Sequence, residues 1–325
     1  MTKTFKTILA VLLAAVLAFA LAACGDDSEE SSGGSTSGGG ETGGLIESDE
    51  ANGDISFTIG SKNFTEQYVL GNIYAQAFEA AGYDVDTELD LGSEVIADKA
   101  LRDGTVDAYP EYTGTVLANF YGVETADIPT DDVEAYEQVK ENYAKDGIVV
   151  ADQAPFNNTY AVASLPETQE EVGGDTISDI AALSDADEKS IVGFPECRQR
   201  TDCYVGLQDV YDWQPEFIST DAKYEPLDND QSDFSFAFTT DGELASGDYA
   251  IYEDDQTLFP PYHIVLAMDQ GMADEIGQDG IDLINKIQEP MTEEVMQELN
   301  ARVDIDKETP EDVATQYLQE SGFIE

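Results

Sequence analysis

Residues 55–67 read Ile55-Ser56-Phe57-Thr58-Ile59 and then Gly60-Ser61-Lys62-Asn63-Phe64-Thr65-Glu66-Gln67. The first five residues alternate between apolar and polar side chains, which is the period of a β-strand. In the second segment Asn63 precedes Glu66 by three positions, the spacing of a capping box at the start of a helix. Apolar residues then recur at helical spacing as far as Gly82, a residue type common where helices end. This stretch therefore predicts a strand that is followed directly by a helix.

The same alternation continues through the next part of the chain. Residues 84–91 read as a second strand, residues 93–102 as a second helix, and residues 106–109 as a third strand. This β-α-β-α-β order predicts an α/β sheet with helices on its faces, in which ligands lie outside the carboxyl ends of the strands. Lys62 and Tyr109 are predicted to lie at such ends.

A weaker pattern of the same kind follows, and the end of the chain reads as helical. Strands are predicted near Ile148 to Ala151, Tyr160 to Ala163, Ile191 to Phe194 and Tyr249 to Tyr252. Helices are predicted over Met291 to Val303 and Pro310 to Ser321. From Ile55 to Glu325 the chain is long enough for one large domain or for two lobes with their own cores.

The N-terminus has the composition of an export signal. Two lysines precede an apolar run that ends in Leu21-Ala22-Ala23-Cys24-Gly25, and the run is shorter than the roughly 20 apolar residues of a membrane span. Leu21 to Cys24 resembles the lipobox of bacterial lipoproteins, which implies a signal peptide over residues 1–23 and acylation of Cys24. A short anchor helix is the alternative. Residues 24–54, rich in Gly, Ser and acidic residues, predict a flexible linker, so we expect an extracytoplasmic protein anchored to the cell membrane by lipid.

The composition argues against several classes of protein. Asp and Glu total 69 against 14 Lys and Arg, and the formal net charge of -55 repels phosphate backbones, which argues against a nucleic-acid partner. With 42% hydrophobic and 10% aromatic residues, the chain is not of the disordered type. Such acidity in a foldable sequence favours a halophilic protein, because high salt screens its self-repulsion. An ordinary acidic secreted protein is the alternative.

The cysteines predict one disulfide bond. Cys197 and Cys203 form an even pair once Cys24 is assigned to lipid, and disulfides persist outside the cytoplasm. A loop this short adds about 2 kcal/mol of stability. We expect its main effect to be on Arg198 and Arg200, which lie between the two cysteines.

Five ordered motifs carry a resemblance to a known family. After Gly60 to Gln67 come Tyr109-Pro110-Glu111-Tyr112-Thr113-Gly114-Thr115, Phe156-Asn157-Asn158-Thr159-Tyr160, Thr239-Thr240-Asp241-Gly242, and Asp254-Asp255 ahead of Phe259-Pro260-Pro261-Tyr262. Together they resemble the substrate-binding proteins of glycine betaine, choline and carnitine ABC importers. The resemblance implies a two-lobed periplasmic-binding-protein-like clamshell of type II, each lobe a sheet flanked by helices. It implies a first lobe of residues 55–155 plus 260–325 and a second lobe of residues 156–259, with a closed form that the permease recognises.

The resemblance also implies roles for particular side chains. A quaternary ammonium has no N–H to donate, whereas aromatic faces attract both its charge and its methyl groups. The positions that match the family's aromatic cage are Tyr112, Tyr160, Phe238 and Tyr262. The positions that match its carboxylate-binding residues are Lys62, Thr115 and Arg200. A tyrosine is usual where Phe238 stands, and a phenyl ring keeps the attraction for a cation but lacks the hydroxyl.

Each of these residues also has a structural interpretation. A tyrosine is commonly half-buried packing, and Lys62 or Arg200 could pair with some of the many carboxylates. Arg198 is an alternative to Arg200 in the cleft, and Asn158 could bind ligand or hold Tyr160.

We expect a receptor that captures a compatible solute, glycine betaine first, and delivers it to an ABC permease. Choline, carnitine, proline betaine and ectoine are alternatives of the same class. Lys62 and Arg200 favour a ligand with a carboxylate, because choline would leave their charges unanswered. A ligand-free structural or adhesion lipoprotein of the cell surface is the alternative from another class. The sequence has no zinc spacing, P-loop, dinucleotide motif or nucleophile elbow, so we expect neither an enzyme nor a cofactor.

Overall fold

A computed structural model describes residues 45–220 and 222–325 and contains two five-stranded sheets. Along these residues the strands are β1 (Ser56–Gly60), β2 (Asp84–Glu88), β3 (Ala108–Tyr112), β4 (Ile148–Val150), β5 (Tyr160–Ser164), β6 (Ser190–Gly193), β7 (Glu216–Ser219), β8 (Phe234–Phe238), β9 (Ala250–Tyr252) and β10 (Ile264–Asp269). The first sheet has the order β2-β1-β3-β10-β4, and the second has the order β7-β6-β8-β5-β9.

The first sheet combines parallel and antiparallel pairs. Strand β1 pairs in parallel with β2 and β3, while β10 lies antiparallel between β3 and β4. Strand β10 is apolar and buried from Ile264 to Met268, as expected of a central strand. All five residues of β3 are buried, so this strand carries Glu111 into the interior. The register pairs Ile59, near the end of β1, with Ala108 at the start of β3, so the residues that follow β1 run alongside the rest of β3.

The second sheet is also mixed. Strand β6 is parallel to β7 and β8, and β5 is antiparallel to β8 and β9. The register pairs Tyr160, the first residue of β5, with Phe238, the last residue of β8. Two predicted cage residues therefore lie next to each other at one edge of this sheet.

Helices flank the two sheets. They are α1 (Thr65–Ala80), α2 (Glu94–Arg102), α3 (Thr113–Thr115), α4 (Asp132–Lys145), α5 (Pro166–Val172), α6 (Ile177–Ala181), α7 (Tyr204–Tyr211), α8 (Glu225–Asp228), α9 (Gln270–Gln288), α10 (Glu293–Asp304) and α11 (Pro310–Glu320). Helix α1 is largely buried, and its neighbours include α11, α10 and the strands of the first sheet. Within the described ranges, none of the helices is both long and apolar enough to cross a membrane.

The α/β class predicted from the sequence is confirmed, with shifted boundaries for two strands. The second strand ends at Glu88 rather than at residue 91, because Asp90 and Gly92 have positive φ angles of 68° and 124°. The third strand starts at Ala108 rather than at Val106, whose N–H still bonds to a carbonyl of the preceding helix.

The predicted capping box at the start of the first helix is wrong. Helix α1 begins at Thr65 after an extended Phe64, and no side chain caps it. Glu66 is instead 3% exposed, and its carboxylate bonds to distant side chains inside the protein.

Part of the predicted linker packs on the domain. The Ile46 N–H donates to the Phe323 carbonyl over 2.8 Å, and the Asp49 N–H donates to the Ala81 carbonyl over 3.0 Å. Glu50–Asp54 then form a 3-10 turn. The ordered fold thus begins before Ile55, because these backbone groups find partners that composition does not reveal. The predicted signal peptide, Cys24 and the linker up to residue 44 lie outside the described residues.

Candidate functional site

A cavity of about 410 Å³ is lined by residues from both sheets and from the C-terminal helices. Its size falls in the range of pockets for small organic ligands. It is lined by every side chain that the family resemblance assigned to ligand binding: Lys62, Tyr112, Thr115, Tyr160, Arg200, Phe238 and Tyr262.

The turn after β3 presents Tyr112 and Thr115 to this cavity. A Cβ on Gly114 would lie 2.7 Å from both the Pro261 carbonyl oxygen and the Tyr262 ring, so only glycine allows this approach. The Thr113 hydroxyl donates to the same Pro261 carbonyl over 3.1 Å. The motif around residues 109–115 therefore fixes Tyr112 relative to Tyr262.

The crossing between the two sheets positions two further rings. The Tyr262 N–H donates to Asn157 Oδ1 over 2.7 Å, and the Asn158 N–H donates to the Tyr262 carbonyl over 3.2 Å. The ring of Tyr160 consequently meets that of Tyr262 edge to face, with centroids 6.2 Å apart. Phe238 lies 4.8 Å from Tyr160 by the same measure. Three of the four predicted cage rings thus form one cluster.

Tyr112 reaches the cavity from the side of the first sheet. Its ring stacks on Phe64 with centroids 6.2 Å apart, and its hydroxyl donates to Glu66 Oε1 over 2.7 Å. The four predicted cage residues therefore line one cavity, and the Glu66 carboxylate holds the Tyr112 hydroxyl in place.

Lys62 forms a buried ion pair with Glu111. The two side chains are 4% and 0% exposed, and Lys62 Nζ contacts Glu111 Oε1 directly. Burial lowers the pKa of Lys62 and raises the pKa of Glu111, while their mutual attraction opposes both shifts. The ammonium also lies 4.2 Å from the centroid of the Tyr112 ring. A protein cation therefore already occupies one face of this aromatic residue.

Arg200 forms a second internal ion pair. Its Nε donates to Asp202 Oδ1 over 2.8 Å, and Asp202 Oδ2 accepts the Tyr262 hydroxyl over 2.8 Å. The guanidinium lies 5.7 Å from the centroid of Tyr160. Arg198 lies over Phe217 instead, so Arg200 is the arginine of this pair that lines the cavity.

A disulfide links Cys197 to Cys203 on either side of Arg200. Both cysteines are fully buried, and Cys197 lies within the 3-10 turn Pro195–Gln199 that leads to Arg200. The bond limits the positions that the loop can reach, and with it the position of the guanidinium at the cavity.

These ion pairs correct the expectation that Lys62 and Arg200 disfavour choline as a ligand. The charges of Lys62 and Arg200 were expected to stay unanswered if choline were bound. Glu111 pairs with Lys62 and Asp202 pairs with Arg200, so both charges have partners within the protein. The two basic residues therefore do not by themselves exclude a ligand that lacks a carboxylate.

Lys223, Asp241 and Asn300 are among the residues that line the cavity and were not predicted as parts of the site. Lys223 lies 5.0 Å from the centroid of Phe238 and pairs with Asp241, which also accepts the Tyr224 hydroxyl. Asn300 reaches the cavity from α10. Asp241 belongs to the motif Thr239 to Gly242, which was a signal for a site residue, whereas Lys223 and Asn300 belong to none of the five motifs.

His263, the single histidine of the chain, belongs to the packing beneath this region. It is 6% exposed, its Nδ1 lies 2.9 Å from the Ala154 carbonyl oxygen, and its Nε2 lies 3.2 Å from Asp132 Oδ2.

Comparisons with known proteins identify the family of this chain. The sequence model of the family described as the substrate binding domain of ABC-type glycine betaine transport systems matches residues 56–320. A glycine-betaine-binding protein of Pseudomonas aeruginosa is 31% identical over 281 residues, which cover 82% of this chain and 88% of that protein. A carnitine transport binding protein of Listeria monocytogenes is 27% identical over 276 residues, covering 82% of this chain and 87% of that protein.

The fold also matches a solved structure. The crystal structure of a glycine betaine/carnitine/choline ABC transporter protein aligns with a TM-score of 0.74 and 22% identity, covering 81% of this chain and 98% of that one. This likeness confirms the predicted periplasmic-binding-protein-like architecture.

Proposed function

The chain belongs to the family of substrate-binding domains of ABC-type glycine betaine transport systems, and from that membership we propose that its own ligand is glycine betaine. Substrate-binding proteins of this family work outside the cytoplasm, where they bind small solutes and serve a permease. The expectation that the chain is not an enzyme is confirmed.

The observation that carries this proposal is the convergence of four aromatic rings and two basic residues on one cavity. The trimethylammonium group lies among Tyr112, Tyr160, Phe238 and Tyr262, where each ring contributes about 0.5–2 kcal/mol once water is excluded. Lys62, Thr115 and Arg200 donate to the carboxylate at the other end. Because the carboxylates of Glu111 and Asp202 compete for these donors, the ligand carboxylate has to share them.

Isothermal titration calorimetry tests the proposal. The protein without residues 1–24 is titrated in high salt with glycine betaine, choline, carnitine, proline betaine and ectoine. We expect the strongest binding for glycine betaine. If none of the five produces heat at millimolar concentration, the ligand proposal fails and a structural or adhesion role is favoured.

Carnitine is the second candidate, because Lys223 gives the wall around Phe238 an extra hydrogen-bond donor. A hydroxyl group or a more distant carboxylate on the ligand is able to accept a hydrogen bond from the Lys223 ammonium. The same titration decides between the two ligands by their order of affinity.

We also propose that Cys24 is acylated and that the segment after it keeps the receptor near its permease. The Leu21 to Cys24 motif supports this. Replacement of Cys24 with alanine should move the protein from the membrane fraction into the medium. Retention of the Cys24→Ala protein in the membrane would argue for a helical anchor instead.

A further inference from the structure

Glu66 is a buried carboxylate in the wall of the cavity. Its side chain accepts hydrogen bonds from the Tyr112 hydroxyl over 2.7 Å, from Asn158 Nδ2 over 2.9 Å and from Asn300 Nδ2 over 3.2 Å. These donors come from the end of β3, from the crossing between the sheets and from α10. Glu66 therefore stands at the point where several parts of the site meet.

The charge of Glu66 is not balanced by an ion pair. Lys62 pairs with Glu111, Arg200 with Asp202, and Lys223 with Asp241. In the described part of the chain, none of the lysines, arginines or the histidine comes within ion-pair distance of the Glu66 carboxylate. Lys62 lies near two buried carboxyl groups, those of Glu111 and Glu66, and of these two it forms an ion pair with Glu111 alone.

Two amide groups point their N–H donors at the Glu66 carboxyl group. Asn158 and Asn300 both turn their Nδ2 groups toward the carboxylate, which fixes their orientation. The Oδ1 atoms of both are then buried without a hydrogen-bond partner among the described residues. The carboxyl group of Glu66 therefore lies, with its hydrogen-bond donors already oriented, in the wall of a cavity that is lined with aromatic rings.

We propose that Glu66 supplies the counter-charge for the cationic group of the ligand and thereby determines specificity. The inference rests on the proposed function, since it needs a ligand with an ammonium group in this cavity. Burial raises the pKa of Glu66, which has hydrogen-bond donors but no cationic partner among the described residues, and a cation bound beside it would favour the ionised form. The hydrogen bond from Tyr112 to Glu66 also places the carboxylate beside a cage ring, so both groups attract the same charge.

The net charge of the ligand gives a test that a structural role would not pass. Choline carries only the positive charge, whereas glycine betaine also carries a carboxylate that Glu66 repels. Glu66→Gln in the full chain, purified in detergent, should weaken choline about tenfold to a hundredfold and glycine betaine several-fold less. Glu66→Asp, which keeps the charge, should retain the wild-type ratio of the two affinities.

A glutamine is compatible with the fold at this position. Asn158 is able to turn its unpaired Oδ1 atom toward the new amide group, while Asn300 keeps its bond to the Thr240 carbonyl over 2.8 Å and donates to the glutamine Oε1. We therefore expect Glu66→Gln to match or exceed the wild-type melting temperature in the absence of ligand at pH 7. Glu134→Gln, on the exposed surface of α4, removes the same charge far from these contacts and should change neither affinity.

The outcomes separate the two proposals. If the wild-type chain binds quaternary ammonium ligands and Glu66→Gln weakens choline and glycine betaine by the same factor, the counter-charge inference is overturned alone. A lower melting temperature with equal losses would identify Glu66 as a structural clamp between the elements. If the wild-type chain binds neither ligand, the proposed function and the inference about Glu66 both fail.

Discussion

Replacement of Lys62 with methionine should destabilise the ligand-free protein by about 3 kcal/mol at pH 7. Lys62 and Glu111 are 4% and 0% exposed, so the substitution leaves a carboxylate buried without its cation. Breaking a buried pair in this way costs about 3–5 kcal/mol. Glu111 keeps its bonds from the Tyr109 hydroxyl over 3.0 Å and from the Tyr112 N–H over 2.7 Å, which places the loss at the lower end.

The ability of Glu111 to take up a proton limits the loss and makes it depend on pH. At pH 7, protonating a carboxyl of ordinary pKa costs about 3.5 kcal/mol. Burial already raises the pKa of Glu111, and without Lys62 it rises further. Below the ordinary carboxyl pKa, the folded and the unfolded chains both hold the proton, so the deficit vanishes. The deficit of Lys62→Met should therefore grow as the pH rises from about 4.5 to 7.

Urea denaturation followed by circular dichroism measures this, at constant salt and at pH 5 and 7.5. The matched control is Lys62→Met combined with Glu111→Gln, which removes both charges and should lie within about 1 kcal/mol of the wild type. A single variant that loses less than about 1 kcal/mol at pH 7.5, or loses the same at both pH values, would refute the buried pair.

Three further results are expected. Tyr262→Ala removes a cage ring and a hydrogen bond to Asp202, and it should weaken glycine betaine by about 1–3 kcal/mol in calorimetry; an unchanged affinity would mean that the cage is wrongly assigned. Lys223→Met removes a positive charge from the face of Phe238 and should strengthen choline a few-fold, whereas Lys189→Met outside the cavity should not; equal effects would contradict a role for Lys223. The melting temperature of the wild type should rise strongly from low to molar NaCl, since salt screens its acidic surface; a flat response would exclude the halophilic interpretation.

The sequence predicted the parts of the site that lie in short contiguous motifs. Tyr112 and Tyr262 were predicted because the short motifs that contain them resemble those of a known family. The partner of Lys62 was not found, although Glu111 stood inside a quoted motif. Their contact forms because the residues that follow β1 run alongside β3, and spacing along the chain does not encode that contact.

For Glu66 the sequence suggested a local contact that the structure does not contain. Its position three residues after Asn63 fitted a local cap, whereas tertiary contacts with Tyr112 and Asn300 determine where the carboxylate lies. Helix α9 and strand β10 were not predicted at all. Helix α9 contains three glycines and a residue with non-helical angles at Gly277, which weakens the helical pattern, and β10 is a continuous apolar run without alternation.

The position of β10 between β3 and β4 has a consequence for how the chain folds. All five strands of the second sheet are synthesised between β4 and β10, so the second sheet is complete in the chain before the first sheet can close. Until β10 arrives, β3 and β4 each have an unpaired edge, a state that invites pairing with other chains. The dense negative charge of the chain opposes such contacts between copies. In refolding of the complete chain, β10 still has to pair with β3 across the whole second sheet in sequence, and such long-range pairing is slow, so we expect the docking of β10 to limit the refolding rate.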